Sequence, residues 1–115
     1  MEPIPQSARQ RKINQELTRL LALFINEYSS RQSVITVTRC LTSPDLGQAT
    51  AFISVIPEEE EEKAVAFLNR HARDASLYVR SQTELRRVPR ITFEVDAGEK
   101  NRQRIDEILR EVEEE

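Results

Sequence analysis

Apolar residues at Ile13, Leu17, Leu20, Leu21, Phe24, Ile25 and Tyr28 recur at intervals of three, four and one, which lines them along one face of a helix. The pattern predicts a helix from about Ser7 to Tyr28, with Ser7 as its N-cap and Arg9, Arg11, Lys12 and Arg19 on the polar side. The period then changes. Val34 to Leu41 is rich in β-branched residues and reads as a strand. Ser43-Pro44-Asp45-Leu46-Gly47 reads as a turn, with Pro setting φ and Gly providing a position free of Cβ clashes. From Ala49 to Ile56 the residues Ala49, Ala51, Ile53 and Val55 alternate with Thr50, Phe52, Ser54 and Ile56, so a second strand completes a hairpin.

Pro57 ends that strand, and Glu58 to Glu62 occupy the first turns of the next helix, where negative charge complements the helix N-terminus. Helical spacing continues through Ala64, Phe67, Leu68, His71, Ala72 and Ala75. The small residues Ala72, Ala75 and Ser76 favour a close crossing or a kink there, followed by a helical stretch carrying Tyr78, Val79, Gln82 and Leu85 until Pro89. Ile91 to Asp96 alternates as a third strand, Ala97-Gly98 breaks it, and Ile105, Ile108, Leu109 and Val112 form the stripe of a last helix. The order is that of an α+β domain. A right-handed two-helix crossover makes the second and third strands parallel, so the expectation is a three-stranded mixed sheet with helices on one face.

A chain of 115 residues suits one domain over 1–115, with a flexible N-terminus at 1–6 and a C-terminal helix over 98–115 whose acidic tail frays. No stretch approaches the roughly 18–20 apolar residues of a membrane span, and Met1 to Gln10 lack the apolar run of a signal peptide. A cytoplasmic protein with no membrane partner is expected. Cys40 is the only cysteine, which rules out an intrachain disulfide and a cysteine-based zinc cluster, and it reads as a buried thiol. Gly47 and Gly98 are the only glycines, so no glycine-rich phosphate loop exists. His71 lies among arginines with no nucleophile motif beside it, and nothing marks a cleft between Asp45, Glu94 and Asp96. No catalytic residue, metal or cofactor is expected, and the chain reads as a non-enzyme.

Charge changes the picture by its distribution. The net charge is −3, yet Arg70 to Arg90 holds six arginines against Asp74 and Glu84. Acids concentrate in Glu58 to Glu62 and from Glu94 to Glu115. Such arginines at a helical kink either bind phosphates and stack on bases or pair with the chain's own acids, and charge alone leaves both open. Thr36, Thr38 and Arg39 either face a partner on an exposed sheet surface or cover the sheet's edge.

The run from Leu85 through Arg86-Arg87-Val88-Pro89-Arg90-Ile91-Thr92-Phe93 to Asp96 resembles a signature of the ribosome-binding factor A family. Ile35 to Thr38, Ser43 to Leu46 with Ala49, and Tyr78-Val79-Arg80 resemble the family's first hairpin and third helix, in order over nearly the whole chain. The resemblance implies a type II KH-like fold in which a helix-kink-helix, centred on an Ala-x-Gly, replaces the usual glycine-rich loop. It also implies a non-catalytic assembly factor, linked to growth in the cold, that binds the free small ribosomal subunit, contacts its RNA and assists late maturation and 5′-end processing; separately, nothing in the sequence suggests an obligate dimer, and a monomer is expected. The implied RNA-binding residues are Arg70, Arg73, Ala75, Ser76, Leu77, Arg80, Arg86, Arg87 and Arg90, with Arg9, Arg11, Lys12 and Arg39 as additional contacts. Leu77 stands where the family has Gly, which predicts a milder kink or a continuous helix around Ser76. The alternatives are a generic KH-like RNA-binding module and a module that binds a ribosomal protein through its acidic C-terminal helix.

Overall fold

The computed structural model describes residues 5–28, 33–85 and 87–114. Helix α1 (Ala8–Asn26) starts from a capping box, in which the Gln10 amide donates to Ser7 Oγ at 3.1 Å and the Ser7 amide donates to Gln10 Oε1 at 2.7 Å. The same Gln10 side chain donates to the Thr42 carbonyl at 2.8 Å, which ties the start of the helix to the sheet. Gln6, expected in the loose N-terminus, accepts from the Thr42 amide at 3.1 Å and from Asn14 Nδ2 at 3.0 Å.

Strands β1 (Val34–Thr42) and β2 (Gln48–Ile56) form the antiparallel hairpin, and β3 (Arg90–Val95) joins β2 in parallel, giving the order β1-β2-β3. Val37 lies opposite Ile53 and Arg39 opposite Phe52, so Thr38 is one residue too many for the ladder. This bulge shifts the alternation, and the buried set of β1 runs Ile35, Val37, Cys40, Thr42. Helices α2 (Glu61–Arg70) and α3 (Ala72–Gln82) connect β2 to β3, and α4 (Ala97–Glu114) follows β3. Leu17, Leu20, Leu21, Phe24 and Ile25 of α1 close over Ala51, Ile53 and Phe93 of the sheet, with Leu68, Ala75 and Val79 from α2 and α3. Each large side chain removed from water in this way contributes about 1.5–3 kcal/mol.

The continuous helix expected around Ser76 is observed, and three other expectations need correction. The helix break lies at His71 (φ −102°, ψ 14°), and α3 runs unbroken through Ala75, Ser76 and Leu77. No left-handed residue occurs there, because a Leu at 77 continues a helix at little cost whereas left-handed backbone would crowd its Cβ. Helix α3 stops at Gln82, where Thr83 is already extended (φ −133°, ψ 163°), so Leu85 lies beyond it. In the hairpin the turn carries its positive φ on Leu46 (59°), and Gly47 avoids the Cβ contact expected there, since an added Cβ would lie 3.2 Å from Asp45 Oδ1; that oxygen accepts from the Gly47 amide at 2.9 Å and from the Ser43 hydroxyl at 2.7 Å. Finally, Glu58–Glu60 form a short 3-10 turn ahead of α2, and Glu58 does more than favour a helix start. It accepts from Lys100 Nζ at 2.6 Å and Arg104 Nη2 at 3.2 Å, while Glu61 meets Lys100 at 3.1 Å.

Buried Asp96 joins three elements. Its carboxylate accepts from the Thr38 hydroxyl at 2.5 Å and the Glu99 amide at 3.0 Å, with Arg39 Nε at 3.4 Å, so the bulge of β1, the end of β3 and the first turn of α4 share one anion. Burial works to raise this carboxyl, but the Thr38 hydroxyl, the Glu99 amide and Arg39 outweigh it and hold the group below the ordinary carboxylate range.

Candidate nucleic-acid interface

Asn69, Ala72, Arg73 and Ser76 follow one another at helical spacing across the α2–α3 break and face the start of β3. With Gly47 of the hairpin turn and Arg87, Val88, Pro89, Arg90, Ile91 and Thr92 they line a cleft of about 690 Å³. Its shape has local causes. Pro89 is buried and directs the chain into β3, and the Arg90 amide donates to the Gly47 carbonyl at 2.9 Å, closing the hairpin turn against the strand start. Asn69 clamps the outer edge of β3: its Nδ2 donates to the Phe93 carbonyl at 3.0 Å and its Oδ1 accepts from the Phe93 amide at 2.8 Å. An edge strand is thereby occupied at its centre by a side chain.

The cleft has three cations, Arg73, Arg87 and Arg90, and no carboxylate among its lining residues. Among the described residues, neither these three nor Arg80 has an acidic oxygen within ion-pair distance. The cations that do pair lie elsewhere: Arg19 with Glu16, Arg102 with Glu99, Lys100 and Arg104 with Glu58, and Arg39 with Asp96. Arg87 also reaches a second depression, shared with Arg9, Ile13, Asp45 and Leu46. There the Ser43 hydroxyl and the Gly47 amide hold Asp45 below the usual carboxylate range, with a further contribution from Arg87.

The other expected binding residues separate by position. Arg70 ends α2 with its guanidinium 6.0 Å from the Phe67 ring, in a hollow with Tyr28 and Lys63. Ala75 is 0 % exposed and packs in the core, so it presents no surface to a ligand. Leu77 is 51 % exposed on α3, and Arg80 is exposed one turn further on. Arg9, Arg11 and Lys12 are exposed at the start of α1, where Arg11 Nη1 donates to the Gln6 carbonyl at 2.6 Å. Arg39 stands apart from the cleft, stacked 4.4 Å over Phe52 and paired with Asp96, so it belongs to the sheet's internal network. Arg86 lies outside the described residues. Asn69, Gly47 and Thr92, together with the apolar Ala72, Val88, Pro89 and Ile91, line the cleft without having been expected there from the sequence. The spacing of Asn69, Ala72, Arg73 and Ser76 was the available signal, hidden by the placement of the kink at Ser76.

Among the described residues no group of three or more His, Cys, Asp or Glu converges as a metal site, and no helix is long and apolar enough to cross a membrane. Burial pushes the Cys40 thiol up, against a hydrogen bond with Thr18. His71 Nδ1 lies 3.1 Å from Asp74, on the same exposed helical turn.

Solved structures share this architecture. The crystal structure of ribosome-binding factor A from Thermus thermophilus superposes with a TM-score of 0.67 at 24% identity, covering 75% of this chain and 94% of that one. The solution structure of a Thermotoga maritima protein described as a putative ribosome binding factor A gives 0.69 at 22% identity, covering 84% and 94%. A homology model of the Thermus thermophilus factor as fitted into the cryo-EM map of a 30S–RbfA complex gives 0.66 at 24% identity, covering 74% and 92%. Among sequences, ribosome-binding factor A of Rubrobacter xylanophilus is 35% identical over 91% of this chain and 88% of its own length. That of Chlorobium phaeovibrioides is 33% identical over 79% of each. The family profile described as ribosome-binding factor A matches residues 9–109, and the chain therefore belongs to the ribosome-binding factor A family.

Proposed function

We propose that this protein binds the free small ribosomal subunit by gripping its RNA in the cleft between α3 and β3, and that it assists late maturation and 5′-end processing of that RNA without catalysing a reaction. The observation that carries the reading is a set of arginines that, among the described residues, have no acidic oxygen within ion-pair distance: Arg73, Arg87 and Arg90 converge on one cleft in a chain of net negative charge. An arginine held by a carboxylate must surrender that partner before it takes a phosphate; these have none to surrender. Beside them, Ser76 and Thr92 offer hydroxyl groups for sugars and base edges. Family membership supports the small subunit as the particle bound, and the fitted 30S–RbfA complex supports it for a relative of the same fold. The protein acts in the cytoplasm as a monomer, and its absence slows growth most in the cold.

Sedimentation of cell extract tests the particle. The protein is expected to comigrate with free small subunits and to leave them at high salt, whereas migration with translating ribosomes, or with no particle, contradicts the reading. Filter binding to protein-free small-subunit RNA tests the cleft. Replacing Arg73, Arg87 and Arg90 by Ala is expected to reduce the slope of log affinity against log salt by about 2, since each neutralised phosphate accounts for about 0.7–0.9. An unchanged slope would place the phosphates on other residues.

A further inference from the structure

We propose that the C-terminal half of α4 is a docking helix for a cationic protein surface that presents an apolar groove, of the chemistry found on proteins of the small subunit; this rests on the small-subunit reading above. The base of α4 is tied to the body by a cap and by ion pairs. Asp96 caps it through the Glu99 amide, Lys100 bridges Glu58 and Glu61, and Arg104 reaches Glu58. One residue beyond the last of these ties begins the apolar stripe of Ile105, Ile108, Leu109 and Val112. Its members are 57 %, 59 %, 56 % and 62 % exposed, and none belongs to the core or packs against it. The helix is fixed where it leaves the body and bare where it is apolar. Four large side chains at helical spacing on an anchored helix form the apolar face by which a helix enters a groove.

Charge selects the occupant. Asp106 to Glu115 contains six acids and the single cation Arg110. That density repels RNA phosphates and anionic lipid, and so assigns this part of the chain to something other than the nucleic acid bound at the cleft. A second copy fits no better. An antiparallel pair centred between Ile108 and Leu109 sets Asp106 opposite Glu111 although it also sets Glu107 opposite Arg110, a parallel pair stacks acid on acid along its length, and either brings together two segments that each carry six acids against one cation. A cationic protein groove satisfies both the stripe and the charge.

The test uses the full chain with two probes: individually purified small-subunit proteins, free of RNA, and protein-free small-subunit RNA. Leu109→Asp separates apolar docking from plain attraction, because it removes apolar surface while adding negative charge. Binding to a small-subunit protein is expected to weaken about tenfold or more in Leu109→Asp. It is also expected to weaken in Glu107→Lys/Glu111→Lys, while Leu109→Asp leaves affinity for the RNA unchanged. Because the residue is more than half exposed, the thermal midpoint is expected to stay unchanged, which a melt verifies. The proposal is overturned if no small-subunit protein binds or if Leu109→Asp binds as tightly as the unaltered chain. It is equally overturned if Leu109→Asp weakens RNA binding, or abolishes a concentration-dependent dimer seen by sedimentation velocity. Failure of the unaltered chain to bind the RNA strikes the small-subunit reading alone, and the protein titration still decides the role of α4.

Discussion

Asp96 shows how much one side chain can hold together in this molecule. A carboxylate that accepts from Thr38 and from the Glu99 amide beside Arg39 fixes the bulge of β1 to the first turn of α4. Asp96→Ala is expected to cost about 1–3 kcal/mol in a urea titration near neutral pH, the range of a lost cap and of hydrogen bonds to a charged group. The sign of its pH dependence follows from the depressed folded-state pKa. The contribution is complete above about pH 5, where the carboxyl of the unfolded chain is also ionised, and is lost as pH falls through the lowered folded-state pKa. The stability difference between the unaltered chain and Asp96→Ala is therefore expected to shrink at pH 3. A difference that stays constant from pH 7 to pH 3 would mean that the carboxylate's charge is not what stabilises the junction. Sequence alone placed this residue at the end of a strand and of the family-like motif but not at a junction, because its partners lie 58 positions away at Thr38 and three positions on at Glu99.

At the scale of elements, periodicity was a sound guide to which segments are helix or strand and a poor guide to where they bend. The stripes of α1 and of the paired strands carried enough repeats to locate those elements within a residue or two of their observed ends. Between α2 and α3 the apolar spacing continues across the break at His71, since Leu68 and Ala75 serve the same core on both sides of it. Nothing in spacing marks such a break. Leu77→Gly tests the helical reading directly. In an unbroken helix interior, Gly in place of Leu is expected to lower stability by about 1 kcal/mol, read as a lower thermal midpoint, and to leave RNA affinity unaltered. A stabilised variant, or one with tighter RNA binding, would show that the backbone at 77 favours the left-handed geometry that glycine permits. The bulge at Thr38 was equally invisible. A β-branched run looks alike in either phase, and only pairing with β2 reveals the extra residue.

As a whole, the molecule measures 56 × 33 × 18 Å, and the exposed stripe of α4 shows that an amphipathic pattern does not guarantee a place in the core. Truncation after Arg104 keeps every ion pair that holds α4 and removes the exposed stripe, so the urea midpoint is expected to change by less than about 0.5 kcal/mol equivalent. A large loss would mean that the stripe packs on the body in solution. The separation of charge works at the same scale. Glu58 of the 3-10 turn and Glu61 of α2 hold Lys100 and Arg104 of α4, while among the described residues Arg73 and Arg80 of α3 and Arg90 of β3 have no acidic oxygen within ion-pair distance, and that division contributes to the candidate site. By itself the sequence determined the α+β class, the identity of the strands and helices, the core faces of α1 and β2, and the family, because these depend on local periodicity and ordered motifs. Only the tertiary structure decided that Ala75 is core and Arg39 belongs to the sheet, that Asn69 and Gly47 join Arg73, Arg87 and Arg90 around one cleft, and that α4 stands clear. Those outcomes depend on which distant groups meet, and a linear pattern of residue types leaves that pairing undetermined.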